Sequence, residues 1–150
     1  MFRFPLTFWT TSTMKATENQ KQRVGKFGEK KAVQFIQKNG YTVLETNWRH
    51  AHQEIDVIAK DAEYLVFFEV KTRSCHSPDD LPFGRPARAV NAEKQKNLIL
   101  GARAYLREHP DLALQPRMDV IEVYVRPSHG MLCAPTVLRI HHIRNAFGAR

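Results

Sequence analysis

Cysteine is scarce in this 150-residue chain. There are two, Cys75 and Cys133, far apart and outside any paired ligand spacing. A disulfide framework and a Cys-based zinc site are therefore not expected, and two free thiols fit a reducing cytoplasm. Long apolar runs are missing too: none approaches the ~20 residues that a membrane span needs, so no membrane partner is expected. Acidic residues are in deficit, with 15 Asp and Glu against 23 Lys and Arg, a net charge of +8. That imbalance points to an anionic partner, nucleic acid being the commonest, or else to a merely basic surface. Internal repeats and low-complexity tracts are absent. What remains is a chain of ordinary hydrophobic content (43%), long enough for one domain with a real core.

The first 17 residues begin with a short apolar stretch that Pro5 breaks and that no small-residue cleavage site follows, so they are a poor signal peptide. They read as a disordered extension, with Met14 as a second start, ahead of a single domain over residues 18–150. The pattern predicts a helix from Thr17, as N-cap, to Asn39, with Gly40 as its stop. Three strands follow, at Tyr41–Asn47, Gln53–Ala59 and Tyr64–Thr72. Ser74–Pro86 is rich in Pro, Asp and Gly and reads as a loop. A second helix is expected from Pro86 or Ala87 to His109, then strands at Met118–Val125 and Thr136–His142. The order αβββαββ implies an α/β (mixed α+β) fold, a central mixed sheet flanked by helices.

The unusual feature is charge inside the two most apolar strands: Glu54 and Asp56 in one, Glu69 and Lys71 in the next. With the turn at Lys60-Asp61-Ala62-Glu63, Ala59 would pair with Tyr64, Asp56 with Phe67 and Glu54 with Glu69. Side chains alternate with period two, so Glu54, Asp56, Glu69, Lys71 and Arg73 would share one face. Asp56 and Glu69 would then be diagonal neighbours, and like charges so placed repel. A divalent cation with hard oxygen ligands, Mg²⁺ or Mn²⁺, would offset this. The plain alternative is an edge hairpin with a solvated charged face. Helical phase places Glu29 on the arc shared by Val24, Gly28, Ala32, Val33, Phe35 and Ile36. A carboxylate there is costly unless paired or metal-linked. It reaches toward the same site or forms a salt bridge with a residue such as Arg117.

Asp56 followed by Glu69-Val70-Lys71 resembles the catalytic signature of the PD-(D/E)XK nucleases, the restriction endonuclease-like and Holliday junction resolvase-like superfamily. Within it the chain resembles the bacterial YraN proteins through an ordered set of segments. These are Gly28-Glu29, Asn47-Trp48-Arg49, Glu54 to Ala59, Phe68 to Arg73, Phe83-Gly84-Arg85-Pro86, Ala89-Val90 with Lys94, Pro116 to Val120 and Asn145-Ala146-Phe147. Gln53 stands where those proteins usually have Gly, and Ile55 replaces the Pro of the superfamily signature.

The resemblance implies a restriction endonuclease-like fold and metal-assisted phosphodiester hydrolysis. Asp56, Glu69 and the Val70 carbonyl would bind Mg²⁺, with Glu29 ligating directly or through water, and Lys71 would assist the attacking water. It also implies DNA as partner, branched or junction DNA in repair or recombination among the candidates, and a homodimer. The different-class alternative is a non-catalytic nucleic-acid-binding module that keeps the fold. Glu54 is either an outer ligand or a solvated rim charge. Lys94 lies on the apolar arc of the second helix and either neutralises a phosphate or site carboxylate or snorkels to solvent. Arg49, Arg73, Arg85, Arg88 and Lys96 are candidate phosphate contacts, or ordinary surface charges. Phe83 is a candidate for base stacking, Trp48 for core packing. His50, His52 and His76 receive no role, and His141-His142 read as a solvated strand end.

Overall fold

The computed structural model describes residues 8–81, 90–130 and 133–148, with side chains from residue 18 onward. Its elements are α1 (Phe8–Lys38), β1 (Thr42–His50), β2 (Gln53–Lys60), β3 (Tyr64–Ser74), a single 3₁₀ turn (Pro78–Asp80), α2 (Ala92–Glu108), β4 (Gln115–Arg126) and β5 (Thr136–Phe147). The αβββαββ order expected from sequence holds, and every strand runs longer than its apolar segment alone suggested. One five-stranded mixed sheet forms in the order β1-β2-β3-β4-β5. β3 and β4 are parallel, and the other neighbours are antiparallel.

The two helices cover opposite faces. Under α1 lie Val57, Ala59, Val66, Phe68, Ile121, Val123 and Val125, packed on Val24, Ala32 and Ile36. Under α2 lie Ile55, Ile58, Leu65, Phe67, Met118 and Val120, packed on Leu98, Ala102 and Tyr105. β3 and β4 are buried on both faces, which explains their near-continuous apolar runs. Trp48 is core, meeting Tyr105 edge-on at 5.5 Å.

Both helix starts differ from expectation. α1 begins at Phe8, so Thr17 lies within the helix rather than at its start. Residues 8–17 contain neither Pro nor Gly, and nothing in them interrupts helical backbone. Residues 1–7 lie outside the described part. α2 begins at Ala92, several residues after Pro86. Asn91 supplies the N-cap, its side chain accepting the Lys94 backbone N–H.

Two close approaches set the helices against the sheet. A Cβ on Gly28 would run into the Thr72 side chain, so glycine lets α1 lie against β3. A Cβ on Gly101 would come within 3.2 Å of Gln53 and Ile55, which fixes α2 close over β2.

The β2–β3 register departs from the expected one by two residues. Ala59 pairs with Val66 rather than Tyr64, and Lys60 with Leu65. Asp61 causes the shift. Its Oδ1 accepts the backbone N–H groups of Glu63 (2.8 Å) and Tyr64 (2.7 Å), while its own N–H bonds the Tyr64 carbonyl. The turn therefore tightens to Ala62-Glu63. A two-residue slip preserves side-chain parity over the paired stretch, but the alternation breaks at Asp56: Ile55 packs under α2 with Ile58, while Val57 packs under α1.

A candidate metal and phosphodiester site at the parting of β2 and β3

The β2–β3 ladder ends at Val57 opposite Phe68. Continued by one step, its register would set Asp56 directly against Glu69, not diagonally. Instead the strands part there, and the Val70 N–H is taken by Asp56 Oδ2 at 2.7 Å. Carboxylate replaces carbonyl as the acceptor, which holds the Asp56 side chain against the backbone of the Glu69-Val70-Lys71 segment.

Glu69 is 3% exposed, rare for a carboxylate unless it is paired. Its Oε1 lies 3.0 Å from Lys71 Nζ, and its Oε2 lies 3.5 Å from Lys94 Nζ. The second contact is an ion pair at the edge of bonding distance, and Oε2 has no hydrogen-bond partner. Such an orphaned, buried acceptor is costly. Burial pushes the Asp56 carboxyl up from its ordinary 3.8 to about 7, and repulsion from Glu69 adds to it. The Val70 hydrogen bond and the Lys94 charge pull the other way, and Glu29 pushes it further up.

The sequence-expected residues thus divide. Asp56, Glu69 and Lys71 come together, and Lys94 joins them from α2 rather than snorkelling away. Glu29, half-buried on α1 beside Gly28, is near enough for its charge to act on Asp56. No group of three His, Cys, Asp or Glu side chains that could hold a metal converges among the described residues. Arg117, the alternative partner of Glu29, is engaged elsewhere: it donates to Asp119 at 2.8 and 2.9 Å and to the Tyr41 hydroxyl at 2.8 Å.

Glu54 does not face Glu69. It pairs with Arg49 across β1–β2 at 2.9 Å, both well exposed, and is a rim charge. Arg73 lies 3.4 Å from the buried Glu122. Lys96 is exposed on α2. Arg85, Arg88 and Phe83 lie outside the described residues. His50 stacks on Trp48 and pairs with Glu108 at 3.0 Å.

Two buried carboxylates escaped the sequence reading. Asp119 and Glu122 are both fully buried in β4, three residues apart and hence on opposite faces. Asp119 accepts from Arg117, His142 Nε2 (2.7 Å) and the Asn145 N–H (2.9 Å). Burial pushes its carboxyl up, but these hydrogen bonds outweigh it and hold the group below its usual range. His142 is therefore part of an interior network rather than a solvated strand end. The available signal was the one that exposed Asp56 and Glu69: charge within a long apolar strand.

The profile of the family described as "Uncharacterised protein family UPF0102" matches residues 28–123, which include Glu29, Asp56, Glu69, Lys71 and Lys94. Similar curated proteins span nearly their whole length in the match. A UPF0102 protein of Desulforapulum autotrophicum is 42% identical over 130 residues, 87% of this chain and 97% of that protein. One of Caldanaerobacter subterraneus is 39% identical over 127 residues, covering 85% and 96%. One of Chlorobium phaeobacteroides is 41% identical over 125 residues, covering 83% and 93%.

Proposed function

Because this chain belongs to the UPF0102 family, the YraN family that its motifs resemble, and that family's description names no activity, we propose its function from the geometry: a Mg²⁺- or Mn²⁺-dependent endonuclease hydrolysing phosphodiester bonds in DNA. The observation that carries the reading is the Asp56–Glu69 arrangement. Two carboxylates are held together where one is nearly dry, one titrates far above its normal range, and one oxygen lacks a hydrogen bond.

The donors suit a hard cation. Magnesium is commonly held by one or two carboxylates, with water and phosphate oxygens completing its shell, so the lack of a third converging side chain is no obstacle. Asp56 and Glu69 would hold the ion, the Val70 carbonyl would complete the protein donors, and Glu29 would contribute through water. When bound, the ion supplies Lewis-acid polarisation of a phosphoryl oxygen. Lys71, fixed beside Glu69 yet partly open to solvent, can orient an attacking water or offset charge developing on phosphorus. Lys94 pairs with the other Glu69 oxygen and favours the ionised form of Asp56.

Branched or junction DNA, a cytoplasmic location and a homodimer are the finer parts of this proposal. The second reading, a non-catalytic nucleic-acid-binding module, draws on one observation: two lysines already compensate Glu69 without a metal. A cleavage assay separates the two. Labelled single-stranded, duplex, flap and four-way-junction DNA are incubated with Mg²⁺, Mn²⁺ or EDTA and with wild type, Asp56→Ala or Lys71→Ala. The nuclease reading expects metal-dependent products from wild type alone. Metal-independent binding without cleavage would establish the binding module instead, and cleavage persisting in both variants would remove Asp56 and Lys71 from the mechanism.

A further inference from the structure

Beyond the Asp56–Glu69 pair, the α2-side face of the sheet changes character. Strand register lines up two polar rows across β3, β4 and β5. Lys71 is level with Glu122 and His141; one step on, Arg73 is level with Tyr124 and Arg139. Toward the other end of the same strands the rows are apolar, Phe67 with Met118, then Val120 with Ile143. α2 packs on β2 and β1, so these polar rows sit on its face of the sheet but at the other side of the site.

Within the rows, depth sorts the side chains. Glu122 (0% exposed) and Tyr124 (2%) form a floor, with the Tyr124 hydroxyl donating to Glu122 Oε2 at 2.9 Å. Around that floor stand basic groups. Arg73 Nε is 3.4 Å from Glu122 Oε1, His141 Nδ1 is 3.7 Å from Oε2, and the Arg139 guanidinium lies 4.8 Å from the Tyr124 ring centroid. Arg73 and His141 keep 41% and 39% of their side chains open to solvent. While Lys71 at the edge of this group pairs with Glu69, Glu122 contributes a single negative charge to it, against Arg73 and His141 directly. Its closed position inside a ring of cations also makes it a poor ligand for a second metal ion. What it does well is fix the basic groups in place, which lowers the ordering cost of binding an anion.

We infer that Arg73, His141 and Arg139, braced by Glu122 and Tyr124, form a phosphate-binding subsite for the nucleic-acid backbone leading away from the Asp56–Glu69 site across β4 toward β5. Strands lie ~4.8 Å apart, so β5 is about 10 Å from the strand that carries Glu69. The subsite therefore engages phosphates flanking the scissile one, and its contacts position the strand without reading bases. This inference rests on the proposed function for its ligand, but its test needs no cleavage.

Fluorescein-labelled single-stranded and duplex DNA are titrated by anisotropy in EDTA, at several salt concentrations, with wild type, Arg139→Gln, Arg139→Lys and the double variant Arg139→Gln/His141→Gln. Mn²⁺ binding to each is measured by calorimetry. Each phosphate contact contributes ~0.7–0.9 to the slope of log affinity against log salt. The double variant should bind DNA roughly five- to tenfold more weakly at ~0.15 M salt, with a slope shallower by about one to two, while Mn²⁺ binding is retained. Arg139→Gln should flatten the slope and Arg139→Lys should keep it, a difference that a role confined to packing on Tyr124 does not predict. Unchanged affinity and slope in the double variant would overturn the subsite, and so would a wild type that binds no DNA. A flattened slope together with a wild type that never cleaves would sustain the subsite and refute the nuclease reading, so the two failures are distinct.

Discussion

Replacing Asp56 by Asn should make the metal-free protein more stable at pH 8. Its folded-state carboxyl stands at about 7 against an ordinary 3.8, raised first by burial and then by Glu69. A group raised on folding favours the native state while protonated. That stability is present below the unfolded value and is lost as pH rises through the folded one, here between about 4 and 7. At ~1.36 kcal/mol per pH unit, holding Asp56 ionised above pH 7 costs the native state at most about 4 kcal/mol. Asn is nearly isosteric, keeps an oxygen to accept the Val70 N–H, and carries no charge. Urea unfolding in EDTA should therefore show a gain of about 2–4 kcal/mol at pH 8, shrinking toward zero near pH 4.5, where the wild-type carboxyl is protonated. At ~2–4 °C per kcal/mol for a chain of this size, the melting temperature at pH 8 should rise by roughly 5–10 °C. A variant equally or less stable than wild type at pH 8 would refute the strained carboxylate pair, as would a gain of the same size at both pH values.

Mn²⁺ binding should release a proton, so its affinity should rise up to tenfold per unit below about pH 7 and level off above, as calorimetry in buffers of different ionisation enthalpy will show. Lys94→Met removes a charge that holds Asp56 down, and should push the pH at which affinity levels off upward. Gly28→Ala drives a methyl into Thr72 and should cost about 1–3 kcal/mol in urea unfolding, with part of the loss recovered in Gly28→Ala/Thr72→Ala. Asp119→Ala strands Arg117 in the interior and should cost about 3–5 kcal/mol at pH 7. Because the Asp119 carboxyl is depressed, the stability it confers is present above its unfolded pKa and lost as pH falls through the folded one, so wild type and variant should converge in acid.

Much of the fold was legible because its signals are local. Period-two alternation, Gly40 after α1 and Pro110 after α2 were sufficient for element order and for the common face of Glu69 and Lys71. From Val57 to Lys60 parity survived a mistaken register because both turn lengths are even, and it broke at Asp56, which sequence did not signal; the Asp61 side chain selected the tighter turn, a choice that turns on two hydrogen bonds. The starts of both helices were less legible. Thr17 looks like a cap in sequence, yet it continues a helix that began at Phe8, whereas Asn91 is a true cap lying inside a stretch expected to be helical. Long-range partners were hidden or, for Lys94, left open between two alternatives. Sequence could not show that Arg117 answers Asp119 rather than Glu29, that Lys94 turns inward to Glu69, or that Arg73 and His141 meet over Glu122. Those pairings depend on β3 lying beside β4 and β4 beside β5, which is topology and not periodicity.

Asp56 and Glu69 are proposed to form a divalent-cation site. Crystals soaked in Mn²⁺ test it most directly, through anomalous scattering recorded at the manganese edge. A peak is expected between the Asp56 and Glu69 carboxylates in wild type, with Lys94 or Lys71 drawn away from Glu69, and no peak there in Asp56→Asn. An empty site in wild type at millimolar Mn²⁺, with both lysines still paired to Glu69, would contradict it.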